Sequence, residues 1–223
     1  MKRYTHVFGI FMLALMTAWS ANVRAQETTL TPANRAALEK GEIIMDLKQH
    51  PLTKAYLPTG QCLVEGSLDE VWNIITDFNS FKDYLPHVVY YRPVCWKDNR
   101  LLVDCKVKVT GLNFEYRLAY DINESDHTTY WFFVSGPIRD SQGYWRIEPY
   151  DGQRVLVTYT TTLDIGRAMP GFLERIFAKS TFPDIFNSLR ERVKVLRQQG
   201  GIMKPNLLTK TCSTSQVGYG TDK

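Results

Sequence analysis

The chain has 223 residues, 13% of them aromatic, with 27 Lys and Arg against 23 Asp and Glu. That length suits one well-buried core. A net charge of +4 with no basic run or stacking motif gives no electrostatic case for nucleic-acid binding, and four cysteines without a Cys-x-x-Cys spacing exclude a thioredoxin-like redox centre.

Residues 1–25 read as a secretory signal peptide. Lys2 and Arg3 precede a 13-residue apolar run, Val7 to Trp19, and Val23-Arg24-Ala25 supplies a small-residue cleavage signal. The run is shorter than the roughly 20 residues that span a bilayer. Cleavage would remove Lys2, Arg3 and Arg24 and leave 24 basic against 23 acidic residues, a net of +1. The reading places the mature chain across the inner membrane, in the periplasm, where disulfides persist.

Residues 26–40 form an N-terminal helical segment, with Thr31 as cap and Pro32 at the first helical position. Residues 42–48 and 56–66 alternate as strands on either side of a Pro51 loop. Ser67-x-x-Glu70 is a capping box, and Val71, Ile74, Ile75 and Phe78 fall on one helical face behind it. A second capped turn runs from Ser80 to Tyr84 and stops at Pro86.

Strands follow at 88–96, 101–109, 112–122, 128–135, 143–149 and 154–165. Period-two alternation is cleanest at 112–122, where Leu112, Phe114, Tyr116, Leu118, Tyr120 and Ile122 face one way and Asn113, Glu115, Arg117 and Asp121 the other. Asp151-Gly152 turns the last hairpin. Uninterrupted hairpins imply an antiparallel sheet rather than a βαβ fold. A last apolar stripe, from Phe172 through Ile176, Phe182, Phe186 and Leu189 to Leu196, is helical. Pro183 predicts a break there, with Ser180 or Thr181 capping a second segment. Residues 199–223 read as a flexible tail.

Cys95 and Cys105 flank the turn at Lys97-Asp98-Asn99-Arg100. A turn centred near Arg100 makes them a candidate disulfide; a two-residue Asp98-Asn99 turn puts them on opposite faces and leaves buried thiols. The state of Cys212 is open.

The order of elements, together with Gly66-Ser67-Leu68-Asp69-Glu70-Val71-Trp72-Asn73-Ile74-Ile75-Thr76-Asp77-Phe78, Phe81 through Pro86-His87-Val88, and Gly143-Tyr144-Trp145-Arg146-Ile147-Glu148-Pro149, resembles the START and birch-pollen-allergen superfamily. Within it the chain is most similar to the polyketide cyclase/dehydrase and coenzyme Q-binding START-like group. The resemblance covers residues 41–198. It implies an α+β helix-grip fold, a curved antiparallel sheet wrapped round a long C-terminal helix.

A curved sheet cannot lie flat on a straight helix everywhere, so an apolar cavity for a hydrophobic small molecule or lipid is expected between them. Its candidate wall residues are Tyr116, Leu118, Tyr120, Trp131, Phe133, Trp145 and Tyr159 on the sheet and Phe172, Ile176, Phe182 and Phe186 on the helix. Arg139 is a candidate headgroup contact at the cavity mouth. His50, His87 and His127 lack metal-ligand spacing, and neither a Gly-x-Ser-x-Gly elbow nor a phosphate-cradling loop is present. No metal, cofactor or catalytic residue is therefore assigned. The functional expectation is an exported lipid or isoprenoid carrier with transient membrane contact; a cyclase, dehydratase or hydrolase using the same pocket is the alternative. A protein-partner role would need an exposed apolar patch, which the sequence does not display.

Overall fold

The computed structural model of the chain describes residues 30–49, 56–109, 111–164, 171–207 and 209–213, with backbone only for 47–49, 56, 109 and 171–181. The proposed signal peptide, the Pro51 loop with His50, and residues 214–223 of the tail lie outside the described residues. Three short helices, α1 (Pro32–Glu39), α2 (Leu68–Thr76) and α3 (Phe81–Tyr84), precede a long one, α4 (Gly171–Gln198). Eight strands are β1 (Ile44–Gln49), β2 (Tyr56–Glu65), β3 (Val88–Lys97), β4 (Arg100–Val109), β5 (Leu112–Asn123), β6 (Thr128–Ser135), β7 (Asp140–Pro149) and β8 (Arg154–Asp164). They form one antiparallel sheet in the order β1-β2-β8-β7-β6-β5-β4-β3. The sheet is curved and holds α4 in the helix-grip arrangement.

The concave face carries the core. Cys62, Val64, Val103, Cys105, Leu118, Trp131, Trp145, Ile147 and Val157 of the sheet are buried together with Phe182, Ile185, Phe186, Leu189 and Val193 of α4. Burying side chains of this size stabilises each by about 1.5–3 kcal/mol relative to exposure. Gly60 of β2 sits where α4 comes nearest, and a Cβ there would overlap the rings of Phe182 and Phe186. The helix continues through Pro183, whereas the residue pattern predicts a break. Proline forfeits one backbone hydrogen bond, but the buried stripe that includes Phe182 on one side and Ile185 and Phe186 on the other gains more by staying in one helix.

The capping box at α2 forms as the pattern requires. Ser67 N donates to Glu70 Oε2 at 2.8 Å, and Glu70 N donates to Ser67 Oγ at 3.2 Å. Ser80, by contrast, does not cap α3. A 3₁₀ turn at Phe78–Ser80 leads straight into α3, and Ser80 Oγ donates back to the Asp77 carbonyl. Glu70 also receives Arg197 from the far end of α4, Nε at 3.0 Å and Nη2 at 2.5 Å. This bidentate pair ties α2 to α4 across the chain.

The candidate Cys95–Cys105 disulfide is not formed. Asp98 (φ 50°) and Asn99 (φ 63°) make a two-residue turn in the left-handed region, which Asp and Asn tolerate. The resulting register sets Cys95 opposite Leu102 and Cys105 opposite Tyr91. Cys95 instead bonds Cys212, 117 residues away. The tail is therefore not loose up to that point. Trp96 N donates to Lys210 O, Cys212 N donates to Trp96 O, and Thr211 bridges Trp96 in parallel along the outer edge of β3. An edge strand that already carries Pro93 is thereby partly covered. Cys95, Leu102 and Ala119 are buried beneath this strap, with Cys212 packed against them. Leu102 thus points away from the main core and is still buried.

Two outcomes test these ties. Hydrogen bonding to Arg197 holds the Glu70 carboxyl down at about 2, so the pair stabilises the fold above the unfolded value of about 4.5 and its contribution fades as pH falls from there toward 2. Because the pair is part-exposed, we expect Glu70→Gln to cost about 1 kcal/mol at pH 7, with the difference from wild type vanishing near pH 2 in urea titrations. Separately, Cys212→Ser should lower unfolding free energy by about 2–4 kcal/mol and speed exchange of the Trp96 amide and of the amide at position 212.

Candidate functional site: a tyrosine-lined cavity under the helix

Strand register assembles the site. Tyr91 of β3 lies opposite Cys105 of β4, and Cys105 opposite Tyr116 of β5. One level along, Tyr120 of β5 faces Trp131 of β6, and Trp131 faces Gly143 of β7. Trp145 of β7 then pairs with Tyr159 of β8, next to Gly60. A Cβ on Gly143 would overlap the Trp131 indole and the Thr160 carbonyl oxygen, so glycine lets that ring lie down on the sheet. Trp145 and Tyr159 rings are 4.1 Å apart by centroid, and Trp131 stacks on Tyr159 at 5.7 Å.

These side chains surround a cavity of about 110 Å³ between the sheet, α3 and Ile185 of α4. Tyr116, Tyr120, Trp131, Trp145 and Tyr159 line it, joined by Phe81, Tyr91, Val107, Ser141, Thr161 and Leu163. Leu85, Pro86, His87 and Val88 close the corner between α3 and β3. His87 is exposed there, so the cavity reaches the surface at this rim.

Leu118, Phe133, Phe182 and Phe186 are not among the residues that line the cavity. Leu118 is sealed in the core, and Phe133 is half-buried against it. Phe182 and Phe186 are spent on packing against Tyr159 and Trp145 rather than on the cavity wall. The side chains of Phe172 and Ile176 lie outside the described residues. Arg139 is not a rim residue. Its side chain is 70% exposed and pairs with Asp164 at 3.6 Å, outside the set that lines the cavity. Tyr91 carries no clean alternation signal because β3 is bulged between Val88 and Tyr90 and between Pro93 and Cys95; only the register of the β3–β4 turn reveals it. Ser141 and Thr161 are small polar residues that no apolar-face argument selects.

The electrostatics are those of neutral groups out of water. Burial, with smaller effects from the neighbouring phenols and Cys105, holds Tyr91 and Tyr120 well above the usual phenol range, and burial does the same for Tyr116. Burial pushes Tyr159 up to about 12, against a hydrogen bond with Thr161. The Cys105 thiol is pushed up to about 12 by burial, opposed by hydrogen bonding with Tyr116, whose backbone oxygen it meets at 3.2 Å. Cys62 is likewise raised to about 12 by burial, opposed by Arg190. No Asp, Glu, Lys or Arg lines the cavity among the described residues. Among them, too, no three His, Cys, Asp or Glu side chains gather in a metal-binding arrangement, and no helix is long and apolar enough to cross a membrane.

Thiols that are both buried and protonated do not alkylate. In the oxidised protein at pH 8 we expect iodoacetamide to label neither Cys62 nor Cys105, two thiols per chain to label after unfolding, and four after unfolding with reduction, as counted by intact mass.

Comparison with known proteins places this architecture. The fold is similar to that of a START superfamily protein from Mycobacterium smegmatis (TM-score 0.56, 16% identity, 63% of this chain and 98% of that one). It is similar to an aromatase/cyclase from a Streptomyces species (TM-score 0.54, 18% identity, 66% and 98%) and to a STAR-related lipid transfer protein from Xanthomonas axonopodis (TM-score 0.53, 17% identity, 68% and 93%). No curated protein matches the sequence significantly. The family profile described as polyketide cyclase/dehydrase and lipid transport matches residues 64–190, from the end of β2 into α4 and so across the whole cavity wall. With more than half of its length matched and the helix-grip architecture in place, the chain belongs to the polyketide cyclase/dehydrase and lipid transport family.

Proposed function

We propose that this protein is an exported carrier of a hydrophobic small molecule or lipid, held between the sheet and α4. The observation that carries the reading is the cavity itself. About 110 Å³ remains unfilled beneath a helix otherwise packed closely on the sheet, and it reaches solvent at a rim of half-buried Leu85, Pro86 and Val88. Protein interiors rarely leave such space without use. It is somewhat smaller than the roughly 150 Å³ cavity known to take benzene. The closed form therefore suits a ring-sized or short apolar group, and the rest of a longer guest would leave through the rim. Each guest methylene removed from water is worth about 0.8 kcal/mol.

Two features support export. The first is the n-region, apolar run and Ala25 cleavage signal of residues 1–25. The second is the Cys95–Cys212 disulfide, a bond that persists in oxidising compartments such as the periplasm. Loading and release by transient contact with a membrane surface follow from a guest with low water solubility.

The alternative is a cyclase or dehydratase in the same cavity, in line with the aromatase/cyclase among the similar folds. General acid–base work favours a group that titrates near the working pH. The buried tyrosines and Cys105 remain protonated far above neutrality, which makes them hydrogen-bond donors and poor bases. That chemistry favours binding.

The experiment is gentle purification of the exported chain, followed by native mass spectrometry and lipid extraction. We expect a polypeptide beginning at Gln26, with one disulfide, carrying one apolar molecule per chain. A chain that repeatedly emerges empty and takes up no extracted lipid from the host membrane would overturn the carrier reading; a chain retaining residues 1–25 after secretion would overturn export.

A further inference from the structure

The C-terminal strap and its disulfide lie outside the cavity wall, yet they bear on a strand that builds it. β3 ends the strand order, with β4 as its neighbour in the sheet. Its pairing to β4 shifts register twice, between Val88 and Tyr90 and between Pro93 and Cys95. Tyr91, which lines the cavity, lies between those shifts. A segment interrupted on both sides, and carrying a proline that donates no backbone hydrogen bond, is held weakly by its own ladder. The strap supports β3 along its outer edge, just beyond the second shift. Trp96 N donates to Lys210 O at 2.8 Å and Cys212 N donates to Trp96 O at 2.9 Å. The Cys95–Cys212 bond makes the tie covalent.

The strap itself is lightly held. Lys210, Thr211 and Ser213 are exposed, and the Lys204–Glu124 pair at 3.4 Å joins two exposed side chains. The two sulfurs are unequal. Cys95 is fully buried beneath the strap, whereas Cys212 is half-buried among exposed neighbours. An incoming thiolate can therefore reach Cys212 and not Cys95. Breaking the bond leaves the main core in place, because the inner face of the sheet stays covered by α4, and Cys62 and Cys105 take no part in the bond. What the break uncovers is local. The cluster of Cys95, Leu102 and Ala119 loses its cover, and the edge of β3 opens at Trp96.

We propose that Cys95–Cys212 is a redox latch on the cavity: reduction by a dithiol lifts the strap from β3 while the rest of the fold stands, and the freed strand no longer holds Tyr91 in the wall. One thiolate of the dithiol attacks Cys212 Sγ. The S–S bond breaks, and Cys95 leaves as a thiolate and takes up a proton. The second thiol of the dithiol then attacks its own partner sulfur in the mixed disulfide and releases the Cys212 thiol. Two electrons and two protons pass to the protein, and the dithiol becomes a disulfide. The latch stands on the geometry of the strap alone; its effect on a guest rests on the carrier reading.

The test compares the full mature chain with and without dithiothreitol, in the absence of denaturant. Labelling with excess iodoacetamide, counted by intact mass, should find no reactive thiol in the oxidised chain. It should find two in the reduced chain, at Cys95 and Cys212, because lifting the strap bares Cys95. Amide exchange should rise about tenfold or more at Tyr91, Trp96 and position 212 and stay unchanged in β8 and in α4 beyond Pro183. Cys212→Ser should show the fast pattern from the outset and ignore dithiothreitol; the wild-type comparison stands without it. Benzene, which a slightly larger apolar cavity accepts, should bind the reduced chain about threefold or more weakly, as follows when the wall is complete for only part of the time. A count of none, one or four thiols after dithiothreitol would overturn the latch: the bond would be out of reach, the strap would stay down, or the whole fold would depend on it. Exchange that rises everywhere or nowhere would overturn it too. Equal benzene affinity of the two forms would overturn the link to the cavity. Benzene bound by neither form would overturn the carrier reading, with the thiol count and exchange still deciding the latch.

Discussion

The approach of α4 to β2 over Gly60 is the constraint on which the rest of the structure depends. Without a side chain at that position, Phe182 and Phe186 descend onto the sheet and wedge against Tyr159 and Trp145. Once the helix is anchored there, the curvature of the sheet carries the β3–β5 wall away from it. The gap left between becomes the cavity. Packing at one end and space at the other are two results of laying a long helix across a curved surface.

The remaining ties keep that geometry from collapsing. The Glu70–Arg197 pair holds the C-terminal end of α4 to the start of α2. The aromatic chain Phe78–Phe81–Tyr91 props the α3 corner above the cavity, with ring centroids 5.4 and 5.2 Å apart. On the opposite side of the sheet the C-terminal strap and the Cys95–Cys212 bond fix β3, the strand that supplies Tyr91. A cavity wall formed by an edge strand needs such support, because an edge has a neighbour on one side only.

Chemically, the buried wall of the site is built of apolar rings and neutral hydroxyl and thiol groups, with His87 at the exposed rim. Burial produces this character: the same desolvation that raises the tyrosines and Cys105 removes them as bases and strengthens them as neutral partners.

The family and its helix-grip fold were legible in the residue pattern because they rest on local physics. Alternation in 112–122, the Ser67–Glu70 box and the apolar stripe through Phe186 and Leu189 each declare an element without knowledge of its neighbours. The pattern also indicates which faces turn inward, and Tyr116, Tyr120, Trp131, Trp145 and Tyr159 lie on those faces. What it could not decide was how those faces meet. Whether Phe186 lines a cavity or plugs it depends on Gly60 in another strand. Whether Cys95 meets Cys105 or Cys212 depends on a one-step choice of turn and on a tail more than 100 residues away. Tyr91 joins the site through the register of a bulged strand that shows no clean period. Distance in sequence carries no information about such contacts, because they are set by the closure of the whole sheet around α4, and only the folded chain resolves them.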